Sequence, residues 1–289
     1  MSSILTVKKM SKIYKSGKGI RDFNFELKKG KILGIIGLNG AGKSTLISCI
    51  IGFLNPDKGE LEYDFDGKKY ATIKPELLDH LGIVSSEYGY PNHFTAKTVD
   101  RILKRSYTNW DSKKFFEILK HIDLDPKVRA GKYSTGMKTK LACAVALAHN
   151  SKILILDEAT RGLDVKASAR IRELLWEHVQ SGENSIILTS HIMGEIERMS
   201  DSIMLIEDGN MVFTSEKDEI MQNNKMFQMR PDEYEKIAKS DIQRVRNEGI
   251  RGVYVIAHNA DEFSKKYALE PMNATLDEVI IMLLEGEAA

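Results

Sequence analysis

The residues of this chain best suited to chemistry form a glycine-rich segment between an apolar run and a helical pattern. The segment consists of Gly37, Leu38, Asn39, Gly40, Ala41, Gly42, Lys43, Ser44 and Thr45. Glycines let backbone N–H groups turn inward around an anion, and the start of the following helix adds a partial positive charge. In this spacing the lysine reaches terminal phosphates and the serine hydroxyl binds Mg²⁺. The segment therefore predicts a binding loop for a nucleoside triphosphate.

Two carboxylates follow the apolar strand pattern at Ile153–Leu156. At the carboxyl end of a parallel strand, Asp157 is placed to help hold Mg²⁺ as the acidic partner of the phosphate loop. Glu158, the next residue, is placed to accept a proton from an attacking water molecule. Two acids in this position also occur simply as the solvated end of a strand. The phosphate loop upstream favours the chemical interpretation, which predicts hydrolysis as well as binding.

A serine and a glycine, Ser134 and Gly136, precede a helical pattern that we expect to start near Lys138. Both residue types suit a helix N-terminus, which donates backbone N–H groups to an anion. The alternative is an ordinary helix cap without a ligand, and the pair alone does not decide between the two.

Two ring-bearing residues complete the candidates. His191 follows the apolar run Ser185–Thr189, so its imidazole is expected at the same edge of the sheet as Asp157 and Gly37. A lone histidine there is often a surface residue, but this convergence favours a contact with the γ-phosphate. Tyr14 is either an aromatic that stacks on a base or a half-exposed strand residue.

The elements that must position these residues follow from hydrophobic periodicity. Alternating patterns, notably at 22–27 and 59–65, predict strands in an N-terminal antiparallel piece. Short apolar strands alternate with helices farther along, and this predicts a parallel sheet flanked by helices, an α/β fold. We expect an ATPase domain over residues 1–215, with a helical subdomain at about 87–150. A small α+β extension is expected over 216–289, and regulation is one role that it could have.

Size and composition narrow the class of protein. The chain has 289 residues, of which 42% are hydrophobic and 29% charged, as in ordinary globular proteins. A formal charge of +1 gives no general reason to expect nucleic acid as a partner. The longest apolar run, 141–148, is far shorter than the ~20 residues of a membrane-spanning helix. Together with two cysteines in apolar helical patterns and no signal pattern, this predicts a cytosolic protein.

Taken together, these residues resemble the ATP-binding cassette (ABC) family, in particular the nucleotide-binding subunits of bacterial ABC-2-type exporters. The resemblance covers about residues 4–215, with all motifs in order. It implies that Tyr14 stacks on adenine and that 37–45 is the Walker A loop. It also implies that Asp157 is the Walker B aspartate, Glu158 the catalytic base and His191 the switch histidine.

The remaining motifs of the family match less completely. Residues 133–137 resemble the signature motif, with Ser134 and Gly136 kept, and 159–164 resemble the D-loop. At the Q-loop the family has a glutamine where this chain has Ser86, and Glu87 is a weak candidate to replace it as a contact to Mg²⁺.

The resemblance implies that ATP with Mg²⁺ is held between two subunits, either two copies of this chain or a copy and a homologous ABC subunit. Such a pair would drive a separate transmembrane permease, which would hold it at the inner face of the cell membrane. The alternative is a non-transport ABC ATPase with a mechanical or scaffold role. Repair-type relatives of that class carry a long coiled coil between the Walker A and signature motifs. Here Lys43 and Ser134 are only 91 positions apart, which favours transport.

Overall fold

The computed structural model describes residues 2–72, 74–85, 89–159 and 162–288. The strands are β1 (Ser3–Ile13), β2 (Gly19–Lys28), β3 (Ile32–Ile36), β4 (Lys58–Phe65), β5 (Lys68–Tyr70), β6 (Leu81–Ser85), β7 (Ile153–Asp157), β8 (Ser185–Ser190), β9 (Ser202–Glu207), β10 (Asn210–Glu216), β11 (Met226–Met229), β12 (Ile242–Asn247) and β13 (Val253–Ala257). The α-helices are α1 (Lys43–Ile50), α2 (Pro75–Leu78), α3 (Ala96–Ser106), α4 (Ser112–His121), α5 (Thr135–Ala148), α6 (Val165–Gln180), α7 (Met193–Met199), α8 (Lys217–Asn223), α9 (Pro231–Tyr234), α10 (Ala260–Tyr267) and α11 (Leu276–Glu285). Short 3₁₀ helices lie at Ala130–Lys132, Lys239–Asp241 and Gly249–Arg251.

The main sheet has the strand order β5-β4-β1-β2-β10-β9-β3-β8-β7-β6. Strand β3 pairs in parallel with β8 and β9, and β7 pairs in parallel with β6 and β8. Every residue of β3 and β8 is buried, as expected for central strands with both faces covered. Because parallel strands share a direction, the carboxyl ends of β3, β7 and β8 meet at one edge of the sheet. The predicted α/β class is confirmed.

The N-terminal part of this sheet is antiparallel. Strand β1 pairs antiparallel with both β2 and β4, and register shifts interrupt each pairing. Its inward-facing side chains join a hydrophobic core that also contains residues of β3 and α1. The antiparallel piece is thereby packed onto the same core that holds the phosphate loop.

Helices in this part of the chain begin at residues that can cap them. Thr95, Asp111, Ser134 and Asp164 each accept a hydrogen bond from a backbone N–H in the first turn of α3, α4, α5 or α6. The prediction that the helix after Gly136 begins near Lys138 is wrong, because α5 begins at Thr135. The Ser134 cap fixes that earlier start, so Gly136 lies inside the first turn.

The chain divides into two compact units, with the first ending at Thr214 and the second beginning at Ser215. In the second unit β11, β13 and β12 form an antiparallel sheet, with β13 in the middle. One hydrophobic cluster in it contains Phe227, Val255 and Phe263 among others.

In the described residues no helix is both long and apolar enough to cross a bilayer. Cys49 and Cys143 are buried free thiols.

Candidate nucleotide site

The glycine-rich segment links the end of β3 to the start of α1, as its sequence predicts. Gly40 and Gly42 have φ angles of 84° and 114°, in the left-handed region that favours glycine. At Gly37 a Cβ atom would lie 2.4 Å from the carbonyl oxygen of Ile206, so only glycine fits without a shift of backbone. The loop is therefore shaped by its glycines, and it ends in the N-terminus of α1, which favours an anion.

Lys43 is folded back onto this loop. Its Nζ donates hydrogen bonds to the carbonyl oxygens of Gly37 (2.7 Å) and Leu38 (3.1 Å), and the residue is only 6% exposed. Burial lowers the pKa of Lys43, while the nearby carboxylates of Glu158 and Asp157 act in the opposite direction. A buried ammonium group at the start of a helix fits the phosphates of a nucleotide, which carry the opposite charge.

The two carboxylates lie at the junction of β7 and β8. The hydroxyl of Thr189 donates a 2.6 Å hydrogen bond to Oδ1 of Asp157. The backbone N–H of Glu158 points to the same threonine, 3.2 Å from its Oγ1. Glu158 has a φ of 49°, in the left-handed region that costs a residue with a side chain conformational energy. Thr189 thus fixes both the orientation of Asp157 and the bend that directs Glu158.

The side chains of Glu158 and His191 contact each other where β7 and β8 end. Nδ1 of His191 lies 3.4 Å from Oε1 of Glu158, and the two side chains are 50% and 24% exposed. The loop after β8 is held by Ser190, whose hydroxyl donates to Glu195 and accepts from the N–H of Ile192. The structure therefore brings together a carboxylate and an imidazole that sequence analysis could place only at the same edge.

Two clefts meet at this point. One, of about 290 Å³, is lined by residues that include Tyr14, Asn39, Lys43, Ser44, Thr45 and Glu158. The other, of about 490 Å³, is lined by residues that include Asn39, Glu158, Leu163 and His191. Glu158 and Asn39 line both. The predicted loop, base and histidine candidates therefore line two adjoining clefts.

Tyr14 is one of the residues that line the first cleft. It is 40% exposed, and its hydroxyl is 3.3 Å from Oγ1 of Thr45 in the phosphate loop. An exposed ring next to the loop is accessible for stacking on a base.

Ser134 and Gly136 occupy the start of α5, and Gly136 packs against Gly162, which lines the second cleft. The Ser134 hydroxyl accepts a hydrogen bond from the N–H of Met137 at 3.2 Å. A Cβ at Gly136 would lie 2.3 Å from the carbonyl oxygen of Gly162, so α5 contacts the segment after β7 closely. Among the described residues that line the two clefts, neither Ser134 nor Gly136 is present.

Comparison with known proteins identifies the family. The family model described as ABC transporter matches residues 20–161. The bacitracin transport ATP-binding protein BcrA of Bacillus licheniformis is 31% identical over 229 residues, which cover 78% of this chain and 74% of that protein. This chain belongs to the ABC transporter ATP-binding proteins. The predicted family is confirmed, and the protein is an ABC ATPase that binds ATP.

A second protein sequence and a solved structure are also similar to this ABC ATPase. The ABC transporter ATP-binding protein YtrB of Bacillus subtilis (strain 168) is 26% identical over 98% of this chain and 99% of its own length. A solved dimer of the ATP-binding cassette MJ0796, in a post-hydrolysis state with ADP and Pi, matches with a TM-score of 0.64 and 25% identity. That match covers 73% of this chain and 98% of the other. It supports the ABC fold and the ATPase activity.

The described residues of this ABC ATPase contain no group of three or more His, Cys, Asp or Glu side chains that could hold a metal ion. Mg²⁺ is commonly bound through one or two protein groups together with phosphates and waters. Ser44, which lines the first cleft, and Asp157, at the end of β7, would suit that mode, with the nucleotide supplying further ligands. The weak candidate Glu87 and its neighbour Ser86 lie outside the described residues, as do Thr160 and Arg161 of the D-loop.

Sequence analysis did not single out Thr189, whose hydroxyl contacts Asp157. Its only signal is a hydroxyl-bearing residue near the end of an apolar strand, two positions before His191. That signal gains meaning only when β7 and β8 are known to be neighbours, because the partner, Asp157, is distant in sequence.

Proposed function

We propose that this ABC ATPase is the nucleotide-binding subunit of an ABC-2-type exporter and that it dimerises on ATP to drive a separate membrane permease. BcrA, which is named for bacitracin transport, and a Bacillus subtilis protein named for linearmycin resistance are both 31% identical to this chain. Relatives named for import also match, so the direction of transport needs its own test.

One observation carries the dimer proposal. The phosphate loop, Asp157, Glu158 and His191 surround the two clefts, whereas the start of α5 at Ser134 does not line either of them. A helix start with a serine cap and a glycine in its first turn is suited to an anion, yet neither Ser134 nor Gly136 lines the clefts of its own chain. In a symmetric pair, the α5 start of one subunit can complete the site of the other.

In this proposal each side chain of the site has a separate role in ATP hydrolysis. Lys43 and the N–H groups of the loop would bind the β- and γ-phosphates, and Ser44 and Asp157 would hold Mg²⁺, which neutralises phosphate charge. A water molecule in line with the γ-phosphate would lose its proton to the Glu158 carboxylate as its oxygen attacks phosphorus and the bond to the ADP oxygen breaks. His191, paired with Glu158, would orient that carboxylate and donate toward the γ-phosphate.

The catalytic and dimer proposals are tested with Glu158→Gln, which keeps the shape of the side chain and removes its basicity. We expect ATP affinity to be retained, phosphate release to slow at least about 100-fold, and an ATP-dependent dimer to accumulate in light scattering. Lys43→Ala is the matched control, because it should form no dimer with ATP. Wild-type turnover in Glu158→Gln would reject the base assignment, and a monomer at saturating ATP would reject the pair.

The transport proposal is tested by affinity purification of the full chain from membranes and from the cytosol. Recovery with a polytopic membrane protein, retained in Glu158→Gln, is the expected result. Recovery in ribosome or DNA fractions would instead support the alternative, a mechanical ABC ATPase. With the membrane partner in hand, reconstitution into vesicles loaded on one side then decides between export and import.

A further inference from the structure

Arg21 in β2 connects two turns, one of which contributes Ser16 and Lys18 to the lining of the first cleft. Its Nη2 donates to the carbonyl oxygen of Gly17, and its Nη1 donates to that of Asp208 at 3.3 Å. Gly17 lies in the turn between β1 and β2, and Asp208 lies in the turn between β9 and β10. One guanidinium therefore joins two segments nearly 200 positions apart in sequence.

The backbone of the same residue extends this connection to the phosphate loop. The N–H of Arg21 donates to the carbonyl oxygen of Gly209 at 2.8 Å, and the N–H of Gly209 donates to that of Ala41 at 2.9 Å. Ala41 is part of the Walker A loop. The chain of hydrogen bonds thus runs from β2 through the β9–β10 turn to the loop that binds phosphate.

Glycines let these segments approach one another. A Cβ at Gly209 would lie 2.1 Å from the carbonyl oxygen of Gly19, and one at Gly42 would lie 2.8 Å from Cγ2 of Ile20. The start of β2, the β9–β10 turn and the end of the Walker A loop therefore pack backbone against backbone. Arg21 spans the outside of this cluster.

The turn that Arg21 holds on its other side carries Tyr14. The N–H of Tyr14 donates to the carbonyl oxygen of Lys18, and the N–H of Gly17 donates back to that of Tyr14, both at 2.8 Å. Gly17 has a φ of 79°, and a Cβ there would meet nothing within 4 Å, so the turn projects from the cluster. Besides its own internal bonds, the turn is held by Arg21 at Gly17 and by the Tyr14 hydroxyl, which lies 3.3 Å from Oγ1 of Thr45.

We propose that Arg21 is a positioning residue for base binding: it fixes the Tyr14 turn relative to the Walker A loop, so that the ring stays in place for the base. A guanidinium suits this role because its planar fork carries donors that reach two carbonyl oxygens at once, whereas a lysine ammonium is a point donor on a flexible stem. The inference rests on the proposed stacking of Tyr14 on the base, and it adds a residue that acts through Tyr14.

The test compares two probes that share the phosphates but differ in the base: ATP and inorganic tripolyphosphate, each titrated into the full chain. Arg21→Ala should weaken ATP binding about fivefold, as expected for the loss of one or two modest hydrogen bonds. It should leave tripolyphosphate affinity within about twofold, and in turnover it should raise KM with kcat retained. Arg21→Lys should lose part of the ATP affinity, because it keeps the charge but not the fork.

Lys15→Ala is the matched control, because Lys15 is an exposed cation of the same turn and lies outside the cleft lining. It should bind both probes like the wild type. In a double-mutant cycle, Arg21→Ala should weaken ATP no further once Tyr14 is alanine, because a residue that acts through Tyr14 has nothing left to position.

The role of Arg21 would be overturned by an equal loss for both probes, by no loss for ATP, or by the same loss in the Tyr14→Ala background. A loss in Lys15→Ala equal to that in Arg21→Ala would assign the effect to charge and also overturn it. These outcomes differ from a failure of the proposed function. That failure would show as a wild-type chain that does not bind ATP, or as a Tyr14→Ala variant with unchanged ATP affinity.

Discussion

Nδ1 of His191 lies 3.4 Å from Oε1 of Glu158, so the two proposed catalytic side chains are paired. The pair forms where β7 and β8 end side by side, and the left-handed backbone of Glu158 turns its side chain out of the β7 strand. An observed outlier of this kind, at a cleft, is evidence for a functional constraint. Each member of the pair restricts the other, so the contact with His191 helps to orient the carboxylate of Glu158.

Replacing His191 should show whether it orients the Glu158 carboxylate or contributes to ATP binding. His191→Ala removes the imidazole that contacts Glu158. We expect the rate of phosphate release to fall about 100-fold. The free energy of ATP binding should change by only roughly 0.5 kcal/mol, which keeps the affinity within a few-fold of wild type. His121→Ala is the control, because His121 is an exposed histidine whose ion-pair contact is with Glu173 in α6. Turnover in His191→Ala equal to that of the control would show that Glu158 is oriented without the imidazole.

Lys43 should be needed for binding itself. Its ammonium is held on the loop carbonyls of Gly37 and Leu38, next to where phosphates are expected. Because hydrogen bonds to charged groups are individually strong, Lys43→Ala should weaken ATP binding at least about 100-fold. Isothermal titration measures the affinity, and thermal unfolding without nucleotide checks that the variant folds. Unchanged affinity in a folded variant would refute the phosphate-loop assignment.

The motif residues and the parallel sheet were predictable because both depend on local sequence. The Walker A loop is specified by consecutive residues, and continuous apolar runs such as 153–156 indicate buried strands in any parallel sheet. The order of those strands puts Asp157, Glu158 and His191 at one edge, as expected from the rule that ligands bind at carboxyl ends.

The contacts that tune the site were not predictable, because they join distant segments. Thr189 in β8 contacts Asp157 in the neighbouring strand β7, although the two are 32 positions apart in sequence. Arg21 contacts Asp208, which is 187 positions farther along the chain. A single sequence shows which residues can donate or accept, but the pairing depends on strand order. The early start of α5 was missed for a local reason: Gly136 is a poor helix former, yet the Ser134 cap carries the helix through it.

The close contact of α5 with the segment after β7 gives a test of the signature region. A Cβ at Gly136 would lie 2.3 Å from the carbonyl oxygen of Gly162, so Gly136→Ala must push the two segments apart. If this helix start completes the site of a partner subunit, hydrolysis should fall at least about tenfold while ATP binding by the single chain is kept. Loss of ATP binding would contradict that separation.

Gly194→Ala is a matched control for the stability of Gly136→Ala. Gly194 lies in α7, where a Cβ would meet nothing within 4 Å. Alanine in a helix is favoured over glycine by about 0.5–1 kcal/mol, so this variant should unfold at the same or a higher temperature. Gly136→Ala should unfold at a lower temperature. Equal melting temperatures would show that α5 moves away from Gly162 without cost.

His178 of α6 should make the first unit sensitive to acid. It is 7% exposed, and in the described structure its Nε2 has no hydrogen-bond partner. Burial, with nearby Lys114 and His149, lowers the pKa of His178 to about 4. Between that pH and about 6.5 the unfolded chain binds a proton that the folded protein does not. Stability should therefore fall as the pH is lowered, by up to about 1.4 kcal/mol per pH unit.

Urea unfolding at pH 7 and pH 5, followed by tryptophan fluorescence, measures how the stability of the first unit depends on pH. Both tryptophans, Trp110 and Trp176, belong to the first unit, so their signal follows that unit alone. His178→Gln cannot take up the proton, so its stability should depend less on pH even though the loss of packing lowers it at pH 7. His121→Gln, which replaces an exposed histidine, should keep the wild-type pH dependence. If His178→Gln kept it too, the acid sensitivity would belong to another buried group, with His149 the first candidate because burial also lowers its pKa.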